Sequence, residues 1–177
     1  FTAVSMAMEA RAKSLGCDMR KGQPTPGNIA GGLSTIEEKS LGAIMKSGSR
    51  PIQGVMDYTE MVTYHKGLWI KDTPGREPEI LTGMACTGAQ AMLFSTGRGT
   101  PFACPVPTVK ISSNNDLATR KSNWIDFNAG EIVDGRPVAE VDAAFVDFVL
   151  GVASGKHTNN EKSGYSEIAI FKSGVTL

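Results

Sequence analysis

The sequence predicts an α/β fold with a mostly parallel sheet, and three observations support this prediction. Apolar runs of strand length alternate along the chain with segments of helical period. The runs are continuous apolar stretches more than strict alternations of apolar and polar residues, as expected of strands that are covered on both faces. Glycine, proline and small polar residues separate the segments. Together these patterns are typical of domains in which helices connect parallel strands.

The amino-terminal quarter of the chain predicts two helices joined by a loop. Apolar residues recur at steps of three and four through residues 2–15, which favours a helix. Residues 17–33 lack periodicity and are expected to form a loop. Ser34, with Glu37 three residues later, predicts a capping box at the start of the second helix. That helix is expected to end at Gly48.

The remainder of the chain supplies the strands and further helices. Five runs predict short strands: RPIQGVM (50–56), GLWIKDT (67–73), AMLFST (91–96), PTVKISS (107–113) and WIDFNAG (124–130). Helical segments are predicted over 81–90 (a helix or a small-residue turn), over 114–122 and, most clearly, over 138–152.

Composition excludes several classes of protein. The chain has 177 residues, with 18 Lys and Arg against 18 Asp and Glu, so its formal net charge is zero. This balance argues against a nucleic-acid partner or an anionic-membrane surface. No apolar run approaches the roughly 20 residues that span a bilayer. The length predicts a single domain over 1–177.

The cysteines and histidines carry little signal. Cys17, Cys86 and Cys104 lie at wide, unpatterned spacing, which predicts neither a disulfide framework nor a CxxC zinc site. A reducing, cytoplasmic location is therefore expected. His65 and His157 are isolated and are expected to lie on the surface, and no Ser/His/Asp set is evident.

The first stretch that could carry chemistry is PTPGNIAGG, residues 24–32. Glycines allow a ligand to approach the main chain, and amides at a helix start favour an anion. The stretch could therefore cradle a carboxylate or phosphate. Its spacing matches neither GxxxxGK[ST] nor GxGxxG. The alternative interpretation is a tight structural turn.

The next stretch, STIEEKS, places Glu38 beside Lys39 at the start of a predicted helix. Adjacent helical residues point about 100° apart, so these two side chains cannot both face one site squarely. One of them could be an acid/base group at the edge of the anion site. The alternative is a solvated first turn.

The stretch FSTGRGTPFACPVP, residues 94–107, is the most suggestive. A strand is expected to end at Thr96, and ligands of parallel sheets bind outside the carboxyl ends of strands. Arg98 lies between two glycines and could present its planar fork to a carboxylate. Cys104 is either a thiolate ligand for a metal or a small buried hydrophobe.

The stretch WIDFNAGEIVDGRP, residues 124–137, is rich in oxygen ligands. Four side chains in and just after the predicted strand could hold a divalent cation: Asp126, Asn128, Glu131 and Asp134. Alternatively, Asp134 and Gly135 form a turn and Asp126 caps a loop.

Four of these motifs carry a resemblance to a known family. PTPGNIAGGLSTIEEKSLGAI, DTPG, TGRGTPFACPVPTVKISSN and NAGEIVDG occur here in the same order as in the altronate/galactarate dehydratases. The sequence resembles the carboxyl-terminal part of that family from about Gly22 to Gly155. Four motifs in register are far more specific than one glycine loop.

The resemblance implies a Rossmann-like three-layer domain belonging to a larger sugar-acid dehydratase. Family members remove water from hexonic or hexaric sugar acids and depend on a divalent metal, Fe²⁺ or Mn²⁺. The expected partners are a sugar-acid substrate, the missing amino-terminal part of the parent enzyme and further copies in a homo-oligomer. The sequence is also similar to the sulfolactate lyase large subunit, so the alternatives are C–S elimination or a non-catalytic binding fragment.

Dehydration suggests roles for the candidate residues. A base must abstract the proton α to the carboxylate before the β-hydroxyl is eliminated. Lys39 is the candidate base, with Glu38 as the alternate. The candidate substrate-binding residues are Asn28, Gly31, Gly32, Thr96 and Arg98, with the amides of residues 28–32 and Arg98 on the carboxylate. Cys104 and Glu131 are the candidate metal ligands.

Overall fold

The computed structural model describes residues 2–18, 22–62 and 66–171, so His65 lies outside the described residues. Contacts divide these residues into two compact units. The first unit contains residues 2–18, 22–57 and 66–72, and the second contains residues 58–62 and 73–171. Whether residues 1–177 fold as a single domain stays a prediction.

The first unit combines three helices with a two-stranded parallel sheet. Its elements are α1 (Thr2–Ser14), α2 (Pro26–Ala30), α3 (Ile36–Met45), β1 (Ile52–Met56) and β2 (Leu68–Lys71). β1 and β2 pair in parallel, and the register shifts between Ile52 and Gly54. A side chain at Gly54 would collide with the ring of Trp69, so the close approach of the indole to β1 requires glycine there.

Two details of the first unit differ from the sequence prediction. The N-cap of α3 is Thr35, not Ser34, because Thr35 is extended and its hydroxyl accepts a hydrogen bond from the Glu38 amide at 3.1 Å. The predicted loop 17–33 contains the single-turn helix α2. Thr25 and Asn28 form its capping box, and Pro26 occupies a first-turn position that suits proline.

The second unit contains a three-stranded parallel sheet and most of the remaining helices. Its elements are α4 (Glu77–Cys86), β3 (Met92–Thr96), β4 (Thr108–Ser112), α5 (Asn115–Arg120), β5 (Phe127–Asn128), a 3-10 helix (Gly130–Ile132), α6 (Val138–Ala153) and α7 (Asn159–Lys162). The strand order is β3-β4-β5, and both pairs are parallel. The predicted α/β fold with parallel strands is thus confirmed, although the strands form two sheets where the sequence suggested one.

The core of the second unit surrounds the central strand β4. Val109 is fully buried, and Leu81, Met92 and Cys104 form a cluster beside the sheet. The ring of Phe127 packs against two aromatic rings of α6, with a centroid distance of 5.0 Å to Phe145. These contacts attach α4 and α6 to the sheet and give its carboxyl edge a fixed geometry.

No helix within the described ranges is both long and apolar enough to cross a membrane. The three cysteines form no disulfide. His157 is exposed, as the sequence predicted.

Candidate functional site

The carboxyl edge of the β3-β4-β5 sheet is the candidate site of the second unit. Thr96 pairs with Ser112 across β3 and β4, and Ser112 pairs with Asn128 across β4 and β5. The three strands therefore end at the same level. Because peptide dipoles and loop amides converge outside such an edge, it is where α/β proteins bind ligands.

Thr96 fixes the turn that carries Arg98. Its hydroxyl accepts a hydrogen bond from the Gly99 amide at 2.9 Å and a longer one from the Arg98 amide at 3.4 Å. Gly99 has φ +83°, and a Cβ there would lie 2.9 Å from Leu117 Cδ1, so both conformation and space require glycine. The Thr96 hydroxyl of β3 and the buried Leu117 side chain thus both hold the turn in place.

The Arg98 side chain is exposed, and its guanidinium has no hydrogen-bond or ion-pair partner among the residues that the structure describes. A rigid turn therefore presents a planar, permanently charged fork to solvent. This geometry suits a carboxylate ligand, as the sequence suggested.

Asn114 ties the Arg98 turn to the end of β4. Its amide nitrogen donates to the Gly97 carbonyl at 3.0 Å, while its side-chain oxygen caps α5 by accepting from the Leu117 amide at 2.8 Å. Gly130 approaches Asn114 so closely that a Cβ would lie 2.5 Å from Asn114 Cα. The loops after all three strands are consequently packed together.

The oxygen ligands proposed for a cation beyond β5 have other partners. Asn128 donates to Asn115 Oδ1 at 2.6 Å, and Asn115 donates to the Asp134 carboxylate. Asp126 accepts hydrogen bonds from the Lys110 amide at 2.8 Å and the Asn159 amide at 2.7 Å. Burial raises the pKa of Asp126, and these two hydrogen bonds oppose the rise. Asp126 therefore joins β4 to the start of α7, a structural role that differs in its partners from the predicted loop cap.

Lys39 and Asn28 meet in the first unit. The Lys39 amine donates to Asn28 Oδ1 at 3.0 Å and to the side-chain oxygen of Gln23. Asn28 Oδ1 also accepts from the Thr25 amide and hydroxyl. The structure thus brings the candidate base and one candidate substrate-binding residue into contact.

The amides predicted to cradle an anion complete hydrogen bonds of their own turn. The Asn28 amide donates to Thr25 O at 2.9 Å, the Gly31 amide to Gly27 O at 3.1 Å and the Gly32 amide to Ile29 O at 2.9 Å. These bonds favour the structural-turn interpretation of residues 24–32. The anion-binding role of Gly31 and Gly32 stays a prediction.

Glu38 is engaged at the start of α3. Its carboxylate accepts from both the amide and the hydroxyl of Ser34, with an amide distance of 2.8 Å. The hydroxyl bond, followed by the amide bond, lowers the pKa of this exposed carboxyl. A carboxylate with a lowered pKa is a weaker base, which argues against Glu38 as the base. The role of Lys39 as the base stays a prediction.

Cys104 occupies the core of the second unit. It is 4% exposed, and its sulfur lies 3.6 Å from Met92 Sδ and 3.7 Å from Thr108 Oγ1. A thiol among apolar groups and a thioether is the ordinary environment of a structural cysteine.

Glu131 lies on the 3-10 helix and forms an ion pair with Arg136. Within residues 2–18, 22–62 and 66–171, no three His, Cys, Asp or Glu side chains form a group that could hold a metal ion. The described residues therefore do not by themselves fit a divalent cation. The assignment of Cys104 and Glu131 as ligands stays a prediction.

Sequence reasoning missed a buried lysine at the centre of the second unit. Lys110 lies in β4 with no exposed surface, and its amine donates to the carbonyls of Thr100 and Phe102 and, at 3.4 Å, to Asn160 Oδ1. The signal was present, since PTVKISS places a charge in an otherwise buried strand.

Comparison with known proteins finds a family model and several dehydratases to which the chain is similar. A family model described as D-galactarate/Altronate dehydratase, C-terminal, matches residues 1–176. The chain is 45% identical over 154 residues to an altronate dehydratase of Escherichia coli strain K12, and 46% identical over 155 residues to one of Bacillus subtilis strain 168. Each alignment covers 87% of this chain and 31% of the relative.

A third relative is named for a different elimination. The chain is 36% identical over 156 residues to the (2R)-sulfolactate sulfo-lyase subunit beta of Chromohalobacter salexigens, covering 86% of this chain and 40% of that protein. All three relatives are longer than the region they share with this chain. Because the family model matches residues 1–176, the chain belongs to the D-galactarate/altronate dehydratase carboxyl-terminal family.

Proposed function

We propose that this chain forms part of a hydro-lyase that removes water from a sugar acid such as altronate or galactarate. The observation that carries the proposal is the 45% identity to an altronate dehydratase over 87% of the chain. Because the chain spans 31% of that relative, the activity is proposed for the intact protein.

Arg98 is the proposed carboxylate-binding residue. Its exposed guanidinium stands on a turn fixed by Thr96, at the carboxyl end of a parallel sheet. A proton α to a carboxylate is weakly acidic, because its removal concentrates negative charge on the carboxylate oxygens. A guanidinium bound to those oxygens stabilises the enediolate and so lowers the barrier.

Lys39 is the proposed base. In its neutral form the Lys39 amine can donate its two hydrogens to Asn28 and Gln23 and accept the α-proton of the substrate with its lone pair. The electron pair of the enediolate then forms the C–C double bond, while the β-hydroxyl takes up a proton from solvent and leaves as water. The resulting enol tautomerises to a 2-keto-3-deoxy acid. Asn28 holds the Lys39 side chain in place.

Turnover of altronate by the intact protein tests the proposal. With Fe²⁺ supplied, the keto-deoxy product is followed by its ultraviolet absorbance. Arg98→Ala should lower kcat/KM about 10- to 100-fold, the range expected when a charged hydrogen-bonding partner is lost. Arg120→Ala, which removes an exposed arginine paired with Asp116, is the matched control and should leave turnover unchanged. Equal activity of wild type and Arg98→Ala would reject this role for Arg98.

Lys39→Met tests the base in the same assay. It should lower kcat about 100-fold or more, because proton transfer to a positioned side chain contributes on this scale. Lys46→Met, at the end of the same helix, is the control. A normal kcat for Lys39→Met would show that Lys39 is not the base and has only a structural role near the start of α3.

A sulfolactate lyase is the second candidate function, favoured by the 36% identity to a sulfo-lyase subunit. Release of sulfite from (2R)-sulfolactate by the intact protein, without turnover of altronate or galactarate, would support it. Keto-deoxy product without sulfite would eliminate it.

The metal, assembly and location expected from the sequence stay proposals. Stoichiometric iron or manganese in the anaerobically purified intact protein would support the metal, and full activity of metal-free protein would contradict it. Light scattering of the same preparation measures whether the protein is a homo-oligomer.

A further inference from the structure

The loop that leaves the Arg98 turn has no regular secondary structure, and buried side chains satisfy its backbone. Three successive carbonyls, those of Thr100, Pro101 and Phe102, accept hydrogen bonds from Lys110 or Asn160. Both donors are buried, with Lys110 0% and Asn160 3% exposed, and a buried donor without an acceptor is strongly unfavourable. The two side chains therefore select one conformation of this loop.

Lys110 is the central element of this network. Its amine has three oxygen acceptors: Thr100 O at 3.0 Å, Phe102 O and Asn160 Oδ1 at 3.4 Å. An ammonium group has three donors, so all of its hydrogens have acceptors. No carboxylate forms an ion pair with it among the described residues. Burial lowers the pKa of Lys110, and the charge of Asp126 is the largest opposing influence.

A buried charge in the central strand is an unfavourable choice for stability alone. Apolar residues of similar volume commonly stabilise a core at least as well as buried ions do. Phe94 pairs with Lys110 across β3 and β4, and its ring lies 5.6 Å from the Lys110 amine, so an apolar side chain at this position would have an apolar neighbour. The ammonium fixes the position of the 100–102 carbonyls through its hydrogen bonds, which an aliphatic side chain cannot do.

The fixed carbonyls lie next to the proposed carboxylate-binding residue. Arg98 is two residues before Thr100, and its turn is held on the other side by the Thr96 hydroxyl. Hydrogen bonds therefore hold the backbone on both sides of Arg98. One set involves the Thr96 hydroxyl at the end of β3, and the other involves the Lys110 amine in the middle of β4. We propose that Lys110 is a positioning residue, which acts through the 100–102 backbone to hold the Arg98 guanidinium in place for the substrate carboxylate. This inference rests on the proposed function.

A double-mutant cycle in the intact protein tests the proposal, with altronate as substrate. Lys110→Met keeps a long apolar side chain but removes the ammonium. It should lower kcat/KM about tenfold, mainly through KM, when Arg98 is present. In an Arg98→Ala background the same substitution should change kcat/KM less than about twofold. Lys162→Met, which removes an exposed lysine of α7, is the control and should have no effect in either background.

Independent, multiplicative losses in the two backgrounds would overturn the proposal, because a purely structural lysine lowers activity whether or not Arg98 is present. If Lys110→Met does not fold, Asn160→Ala takes its place in the cycle, since it removes the Pro101 hydrogen bond and one acceptor of Lys110. A loss of kcat/KM that depends on Arg98 would again support the proposal, and independent losses in the two backgrounds would overturn it.

Hydrogen exchange separates failure of this proposal from failure of the proposed function. If wild type turns over neither altronate nor galactarate, the dehydratase proposal fails. Faster amide exchange across residues 97–103 in Lys110→Met, with the rest of the second unit unchanged, would still show that Lys110 orders the Arg98 loop. Unchanged exchange in that segment would refute the positioning role whatever the substrate.

Discussion

The two compact units place their candidate residues by different means. In the first unit, α1, α2 and α3 contain no buried residue, and Met56 is the one buried residue within the described part of that unit. In the second unit, a buried central strand and its neighbours support the loops after β3, β4 and β5. Lys39 is therefore positioned by one exposed and one partly buried hydrogen bond, whereas Arg98 stands on a turn held by a core.

The contrast between the two units indicates which contacts determine the geometry of a site. Water competes for exposed hydrogen bonds, so each contributes little to stability, while buried packing and buried hydrogen bonds contribute more. Equivalent substitutions should consequently have large effects in the second unit and small ones in the first.

A leucine pair should show the largest contrast. Leu117 is 1% exposed and contacts the Arg98 turn, so Leu117→Ala should lower the free energy of unfolding by about 2–5 kcal/mol. Leu41 in α3 is 63% exposed, and Leu41→Ala should change it by less than about 0.5 kcal/mol. Urea denaturation measures the free energy of unfolding of both variants. Comparable losses would contradict the proposed difference between the two units.

A glycine pair should give effects of opposite sign. At Gly130 a Cβ would lie 2.5 Å from the Asn114 backbone, so Gly130→Ala should destabilise the protein by about 1–3 kcal/mol. Gly42 in α3 has nothing within 4 Å of the added Cβ, and Gly42→Ala should stabilise by about 0.5–1 kcal/mol. Thermal unfolding of the two variants provides the test, and two shifts of the same sign would contradict this account.

Substitution of Asp126 should change the free energy of unfolding by an amount that depends on pH. Asp126→Ala leaves the Lys110 and Asn159 amides without their acceptor, which should lower the free energy of unfolding by about 1–3 kcal/mol. Since burial raises the pKa of Asp126, the folded protein binds its proton more tightly than the unfolded chain does. The advantage of wild type over Asp126→Ala should therefore grow as the pH falls through the raised pKa. Asp116→Ala, on the surface of α5, should show no such trend.

Glu38 should show the smallest effect and the opposite dependence on pH. Ser34 lowers the pKa of Glu38 in the folded state, so the stabilisation is present at neutral pH and is lost as the pH falls through that lowered pKa. Wild type and Glu38→Gln should therefore converge in acid, as followed by unfolding at a series of pH values. Divergence in acid would show that the Ser34 contacts do not favour the carboxylate.

The sequence was sufficient where the pattern is local. The stripe over 138–152 predicted α6, and the apolar runs predicted β1 to β4 within one or two residues of their observed ends. The start of α3 was missed by one residue, because Ser34 and Thr35 are both good N-caps and backbone conformation decides between them. The helix α2 was missed because five residues are too few for a helical period to be visible.

The candidate site was less predictable, because its contacts join distant parts of the chain. Thr96 and Arg98 are neighbours, and their turn could be inferred from sequence. Lys110 depends on Asn160, which lies 50 residues further along, and no periodicity encodes that pairing. For Cys104 the sequence left both a metal ligand and a core residue open, and it could not predict the contacts with Met92 and Thr108.

The central claim is that the carboxyl edge of the β3-β4-β5 sheet holds a sugar-acid carboxylate through Arg98. Calorimetric titration of altronate into the intact protein, under conditions that block turnover, tests it most directly. The account predicts that Arg98→Ala weakens binding about 10- to 100-fold and that Arg120→Ala leaves the affinity unchanged. Equal affinities for wild type and Arg98→Ala would contradict it.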